Sequence, residues 1–248
     1  MKRTKGTSIA IIVLLSVIIL LLLGIMITGI AGAGYNLHIF TKDFDMPKQS
    51  EAFEFDPTEI KGIEIDSDYS NIELRESSTD KIIVEGDSSS TFTLTAELDG
   101  RTLEIDRNTN ITPIFSGRSP KIETVIYLPK NFSGAIDIEA DCGNITSDAN
   151  LKGKFTFHAD CGNIELKSIA GEFDLSTDMG NIEIDNVQLD SDSIAQTDMG
   201  NIEIEKLNPV NIIADADLGS TKVYGSDSSS HIDLTAETDM GNIEINNK

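Results

Sequence analysis

Tryptophan is absent from this chain of 248 residues, and aromatic side chains make up only 6% of it. A groove that holds sugars or bases by stacking needs such rings, so the composition argues against one. Histidine occurs three times, as His38, His158 and His231, each isolated in sequence. Basic residues are also scarce, with 19 Lys and Arg against 42 Asp and Glu and a formal charge of −23. Residues 1–34 contribute three positive charges and no acid, so residues 35–248 carry −26. A surface this acidic repels nucleic acid and anionic lipid. Helical periodicity is missing too beyond the N-terminal segment. Alternation of apolar and polar residues takes its place, dense enough to predict a folded all-β domain rather than a disordered acidic tail.

The one long apolar run lies near the start. Lys2, Arg3 and Lys5 precede 23 uncharged residues, 9–31. At 1.5 Å per residue these span about 34 Å, enough to cross a hydrocarbon core of about 30 Å. Residues 1–8 are expected in the cytoplasm and 9–31 as a single transmembrane helix. Residues 32–55 then read as an extracytoplasmic tether, with the folded domain at 56–248. The alternative is a cleaved signal peptide with Ala31-Gly32-Ala33 at its cleavage site, although the run is longer than the usual apolar region of about 7–15 residues. No cysteine follows the run closely, which argues against a lipid anchor.

The C-terminal half repeats one phrase six times, beginning at Asp141, Asp160, Asp178, Asp198, Asp217 and Asp239. Its glycines (Gly143, Gly162, Gly180, Gly200, Gly219, Gly241) are 19, 18, 20, 19 and 22 residues apart. A fixed period near 20 residues marks a solenoid, in which each coil buries its apolar side against its neighbours. Aligned on glycine, one column reads Ile145, Ile164, Ile182, Ile202, Thr221, Ile243. Another reads Ile138, Phe157, Leu175, Ala195, Ala214, Ala236. Apolar positions two apart along each strand and in register between coils form an interior stack. The predicted fold is a right-handed parallel β-helix with about 18–22 residues per coil. Earlier strands are expected at 60–65, 71–74, 81–85, 91–98, 102–106 and 122–128, with a loop over 107–121.

Three polar columns face outward. They are the six Asp residues, then Asn144, Asn163, Asn181, Asn201, Ser220 and Asn242, then Thr146, Glu165, Glu183, Glu203, Lys222 and Glu244. Stacked carboxylates about 4.8 Å apart repel by about 0.9 kcal/mol per pair in water. Each Asp is expected to offset this by accepting a backbone N–H at the glycine turn, and the Asn column to form an amide ladder. Cys142 and Cys161 occupy equivalent positions in consecutive coils, close enough for a disulfide, while Met and Leu fill that column later. Bridged and reduced cysteines both remain open.

These residues single out no catalytic, cofactor or metal site. Polysaccharide cleavage by a β-helix enzyme needs two carboxyl groups with distinct environments, yet each coil offers the same acids. The serine runs at 88–90 and 228–230 lack a nucleophile elbow. The nine-residue calcium repeat is absent, so only weak divalent-cation association along the acidic columns is expected. The sequons at Asn110, Asn131 and Asn144 are incidental. The chain also ends just after its last repeat, and the C-terminal solenoid end is a candidate for self-association or partner stacking.

The serial Asp-x-Gly-Asn-Ile-Glu-Ile phrases over 141–245, with Ile-Glu-Ile-Asp-Ser-Asp-Tyr-Ser-Asn-Ile-Glu-Leu at 63–74, resemble the bacterial putative-adhesin family of β-strand repeats, a domain of unknown function. The resemblance covers 59–248. Members commonly carry Ser-Gly-Asp-Ile where this chain has Met-Gly-Asn-Ile. It implies a β-helix at the cell envelope, an adhesin-like or scaffold role without catalysis, and a link to envelope stress. The partners expected from the anchor and the rigid repeat domain it tethers are the membrane and an envelope protein or cell-wall polymer.

Overall fold

The computed structural model describes residues 49–109 and 122–247. The predicted transmembrane helix, most of the tether and most of the predicted loop lie outside them. Every named element within them is a β-strand. In the first part these are β1 (Gln49–Phe55), β2 (Gly62–Tyr69), β3 (Asn71–Glu76), β4 (Ile82–Ser88), β5 (Phe92–Asp99), β6 (Thr102–Thr109) and β7 (Glu123–Leu128). The repeats supply β8 (Ala135–Cys142), β9 (Ile145–Cys161), β10 (Ile164–Met179), β11 (Ile182–Ile184) and β12 (Val187–Leu189). They continue with β13 (Ser193–Met199), β14 (Ile202–Ile204), β15 (Asn211–Tyr224) and β16 (Asp233–Asn246).

Period-2 alternation carries these strands. In β11 and β14 the sequence Ile-Glu-Ile reads buried, exposed, buried. Successive coils pair in parallel and in register, with Ile145 beside Ile164, Ile164 beside Ile182 and Ile182 beside Ile202. The column is fully buried, and so is the facing series Ile138, Phe157, Leu175, Ala195, Ala236. From Phe157 onward that series shrinks from ring to methyl along the axis. Phe155 and Phe157 meet edge to face, with centroids 5.9 Å apart. A third side is closed by Leu151, Ile169 and Val187, consecutive rungs of one ladder.

The order of the coils departs from the order of the chain. β14 pairs with β16, and β16 pairs on its other side with β15. The sixth repeat is therefore inserted between the fourth and the fifth. The same happens at the other end, where β2 lies between β8 and β6 and β3 lies between β9 and β7. Antiparallel strands finish that end, since β5 pairs with β6, β4 with β7 and β1 with β4.

Two boundaries change as a result. Residues 49–55, expected in the tether, form β1 because Phe53 and Phe55 pack against the core. Residues 107–109, expected in a loop, extend β6, and Arg107 there is buried.

Candidate functional site

The glycine column is built by contact. A Cβ on Gly162 would lie 1.9 Å from the Gly143 carbonyl oxygen, and one on Gly180 equally close to that of Gly162. Only a hydrogen fits, so close approach of backbones selects glycine here. Inside the turn, Thr177 and Thr197 donate hydroxyl hydrogen bonds of 2.9 and 3.0 Å to the carbonyls of Gly162 and Gly180. The Asp column does not cap these turns as expected. The glycine N–H groups are already committed to the next coil, as in Gly162 to the Met179 carbonyl and Gly180 to that of Met199.

The Asn column does form a ladder, though of another kind. Each side-chain oxygen accepts the backbone N–H of the next Asn. The bonds run from Asn144 to Asn71, Asn163 to Asn144, Asn181 to Asn163, Asn201 to Asn181 and Asn242 to Asn201, at 2.8–3.0 Å. Ser220 ends it by donating to Asn242 at 3.2 Å. Asn71, from the degenerate copy, is the origin.

Carboxylates on this outer wall feel burial and one another. Burial first, then Glu203 and Glu165, raises the Glu183 carboxyl above its ordinary value. Asp66 is raised by burial and then by Asp106, and Asp141 by burial and then by Asp160. Among the described residues, no three His, Cys, Asp or Glu side chains converge tightly enough to hold a metal ion.

The two cysteines are register partners and are both free thiols. Partial burial, and then the neighbouring Cys161, raises the Cys142 thiol above its usual value. That leaves it less ionised and less reactive than an exposed thiol.

Two features escaped the sequence reading. His158 is not isolated. Its Nδ1 lies 2.8 Å from Ser176 Oγ and its Nε2 lies 3.0 Å from Asp160 Oδ1. Column alignment held the signal, since His158 and Ser176 are equivalent in adjacent coils. Ser176 sits in β10, which is paired with β9 on one side and β13 on the other. Its neighbouring N–H groups are thus spent in the sheet, and acyl transfer would lack oxyanion donors. The trio is an outward polar cluster. The second feature is Arg107, whose guanidinium stacks 5.3 Å from the Phe92 ring centroid. Among the described residues, none of its three nitrogens has a hydrogen-bond partner. Burial, opposed by the charge of Asp87, pushes its pKa down to about 10.

An open groove of about 530 Å³ lies between the β1–β2 and β7–β8 connections, lined by Lys61, Asp80, Lys130 and Phe132. Thr58 on its wall donates its hydroxyl to Asp56 at 2.7 Å, a local turn bond. The far end of the stack is more distinctive. β15 pairs only with β16 among the described strands. It leaves Leu218 69%, Ile213 49% and Tyr224 44% exposed.

In-register parallel coils, a glycine contact column and an asparagine ladder define an all-β, solenoid-like repeat domain. The chain belongs to the Toastrack family, DUF4097, whose sequence model matches residues 60–248. Among solved structures, a putative cell adhesion protein from Clostridium sporogenes is similar at 14% identity. That likeness covers 81% of this chain and 100% of the other, with a TM-score of 0.51, and it shows the fold alone. A putative adhesin from Bacteroides fragilis shares 18% identity over 80% of this chain and 97% of its own, with a TM-score of 0.45. A putative lipid binding protein from Parabacteroides distasonis shares 16% over 79% and 97%, with a TM-score of 0.31. A comparison with curated proteins finds no match.

Proposed function

We propose that this chain is a non-catalytic, membrane-anchored module of the bacterial cell envelope. In this reading residues 9–31 hold it in the membrane, and a right-handed solenoid outside acts as an adhesin-like or scaffold surface linked to envelope stress. The observation that carries the proposal is the repetition of the outer wall. Glu165, Glu183 and Glu203 are successive rungs of one ladder, as are Asn144, Asn163, Asn181 and Asn201. Equal side chains at equal spacing suit a contact with an extended polymer or protein surface, which gains by multivalency. A catalytic centre needs the opposite, one residue set apart from its equivalents. The similar fold of a putative cell adhesion protein from Clostridium sporogenes agrees in kind.

Crosslinking in cells followed by recovery from the membrane fraction tests this. Capture of an envelope protein supports the scaffold role, and capture of cell-wall polymer supports adhesion. A chain found wholly in the soluble fraction, or one that turns over an acidic polysaccharide, overturns the proposal.

A second reading rests on the mutual charging of Glu183, Glu203 and Glu165, namely diffuse association of divalent cations with the acidic ladders. Calorimetry with Ca²⁺ at physiological salt, giving neither heat nor a change in melting temperature, ends it.

A further inference from the structure

The exposed edge of β15 carries a self-complementary pattern. Asn211 donates its N–H towards the β16 side, to the Ile232 carbonyl, whereas Ile212 donates to Ser226 Oγ beyond the sheet. Backbone groups alternate along a strand, so Ala214 and Ala216 also point theirs away from β16. Past the corner at Gly219 the alternation resumes. Ile145, Ile164 and Ile182 each donate to the next coil of the stack. Thr221, their equivalent in the final coil, has no coil beyond it among the described residues, and with Val223 it presents a free edge. The side chains of Ala214, Ala216 and Val223 are only partly buried there.

We propose that two copies of this chain associate end to end, β15 against β15 in antiparallel register, about a two-fold axis through the corner between Leu218 and Gly219. In that register Ala214 faces Val223 of the second copy and Ala216 faces its Thr221. These are the residues with free edge groups, and an antiparallel ladder needs such groups opposite one another at its hydrogen-bonded positions. The intervening positions oppose Asp215 to Lys222 and Ile213 to Tyr224, each twice by symmetry. An ion pair and an aromatic–β-branched pair are both favourable cross-strand neighbours. Lys222 already lies 3.2 Å from Glu244 of its own chain and so is held on the outer face beside the contact. Shifting the register by two residues in one direction faces Asp215 with Ser220. The corners then no longer coincide. A closed isologous contact of this kind uses up both edges, so assembly stops at two.

The surface does not depend on the envelope role proposed above. Its test is sedimentation of the full-length chain in detergent across a range of concentrations. The chain is expected to dimerise. Asp215→Lys alone and Lys222→Asp alone each weaken association by about tenfold or more, and the double variant recovers it, since each interface then holds two reversed pairs. Ala214→Pro, which removes only an outward-facing N–H, is expected to abolish the dimer while the melting temperature holds. A monomer at every concentration overturns the proposal. So does a dimer indifferent to both reversals, or single reversals that the double variant fails to rescue.

Discussion

Gly241 stacks on Gly200, 41 positions earlier in the chain, and Gly219 stacks on Gly241. A Cβ on Gly241 would lie 1.7 Å from the Gly200 carbonyl oxygen, and one on Gly219 would lie 1.5 Å from that of Gly241. Replacing Gly241 by Ala must therefore push its coil away from that of Gly200. The expected loss is about 3–4 kcal/mol, at the severe end of single substitutions. Urea unfolding measures it. Gly100 has nothing within 4 Å of a Cβ but sits at a φ of +61°, so Ala there is strained by its backbone alone and should cost less, about 1 kcal/mol.

The insertion of β16 fixes where the structure opens. Ile243 and Ile245 lie in a strand flanked on both sides, whereas Thr221 and Val223 lie at an edge. Amide exchange at the latter two is expected to be faster by about a hundredfold or more in a monomer, since edge groups open locally without global unfolding. The reverse pattern, with Ile243 and Ile245 exchanging faster, would mean that the last two coils sit in chain order.

Acidity opposes the fold near neutral pH. Burial and neighbouring carboxylates raise Asp66, Asp137, Asp141 and Glu183 above the ordinary carboxylate range. A raised carboxyl binds its proton more tightly in the folded state, so its contribution is complete below about pH 4 and is lost as pH rises through the folded value. Asp56 runs the other way. Hydrogen bonds from the Thr58 hydroxyl and N–H, and then from Lys81, hold it at about 2, so its contribution is lost in strong acid. The melting temperature is expected to rise from pH 7.5 to about pH 5 and fall again below about pH 3. Added salt at pH 7.5 should recover part of the gain by screening. A melting temperature that falls steadily from pH 7.5 downward contradicts this assignment.

Arg107 costs stability where it stands. Among the described residues this buried guanidinium finds no hydrogen-bond partner, and the Phe92 ring and the charge of Asp87 offset its burial. Arg107→Met keeps the stem and removes the charge, and it is expected to stabilise the domain by about 1–4 kcal/mol. A lower denaturation midpoint for this variant would reveal a partner that the guanidinium needs.

Much of this architecture was legible. The in-register isoleucine and phenylalanine columns followed from period-2 alternation repeated every 18–22 residues, and Asn71 was recognisable as a worn copy of the later phrase. Coil order was not, because the columns are chemically so alike that Ile202 fits equally well beside Thr221 or Ile243. A signal did exist. The fifth repeat alone replaces Asn, Ile and Glu by Ser220, Thr221 and Lys222. Those are tolerable substitutions in a final coil that faces water on one side. The 22-residue step to the sixth glycine also carries the stretch 225–231, outside any strand, which lets the chain turn back. The contact of His158 with Ser176 is hidden because no one side-chain type runs through their column, Glu139, His158, Ser176, Gln196 and Glu237. Arg107 was misplaced because its charge and the Pro- and Gly-bearing stretch after it spoke for a loop, against the burial its strand imposes.

The interleaved last windings also dictate an order of events. As the chain leaves the ribosome, the repeats through Ile204 settle one on another in sequence, but the fifth has no rightful seat until the sixth exists. Docked early on Ile202, it occupies the berth meant for Ile243 and must be dislodged. Closure of the stack therefore waits on Asp233–Asn246.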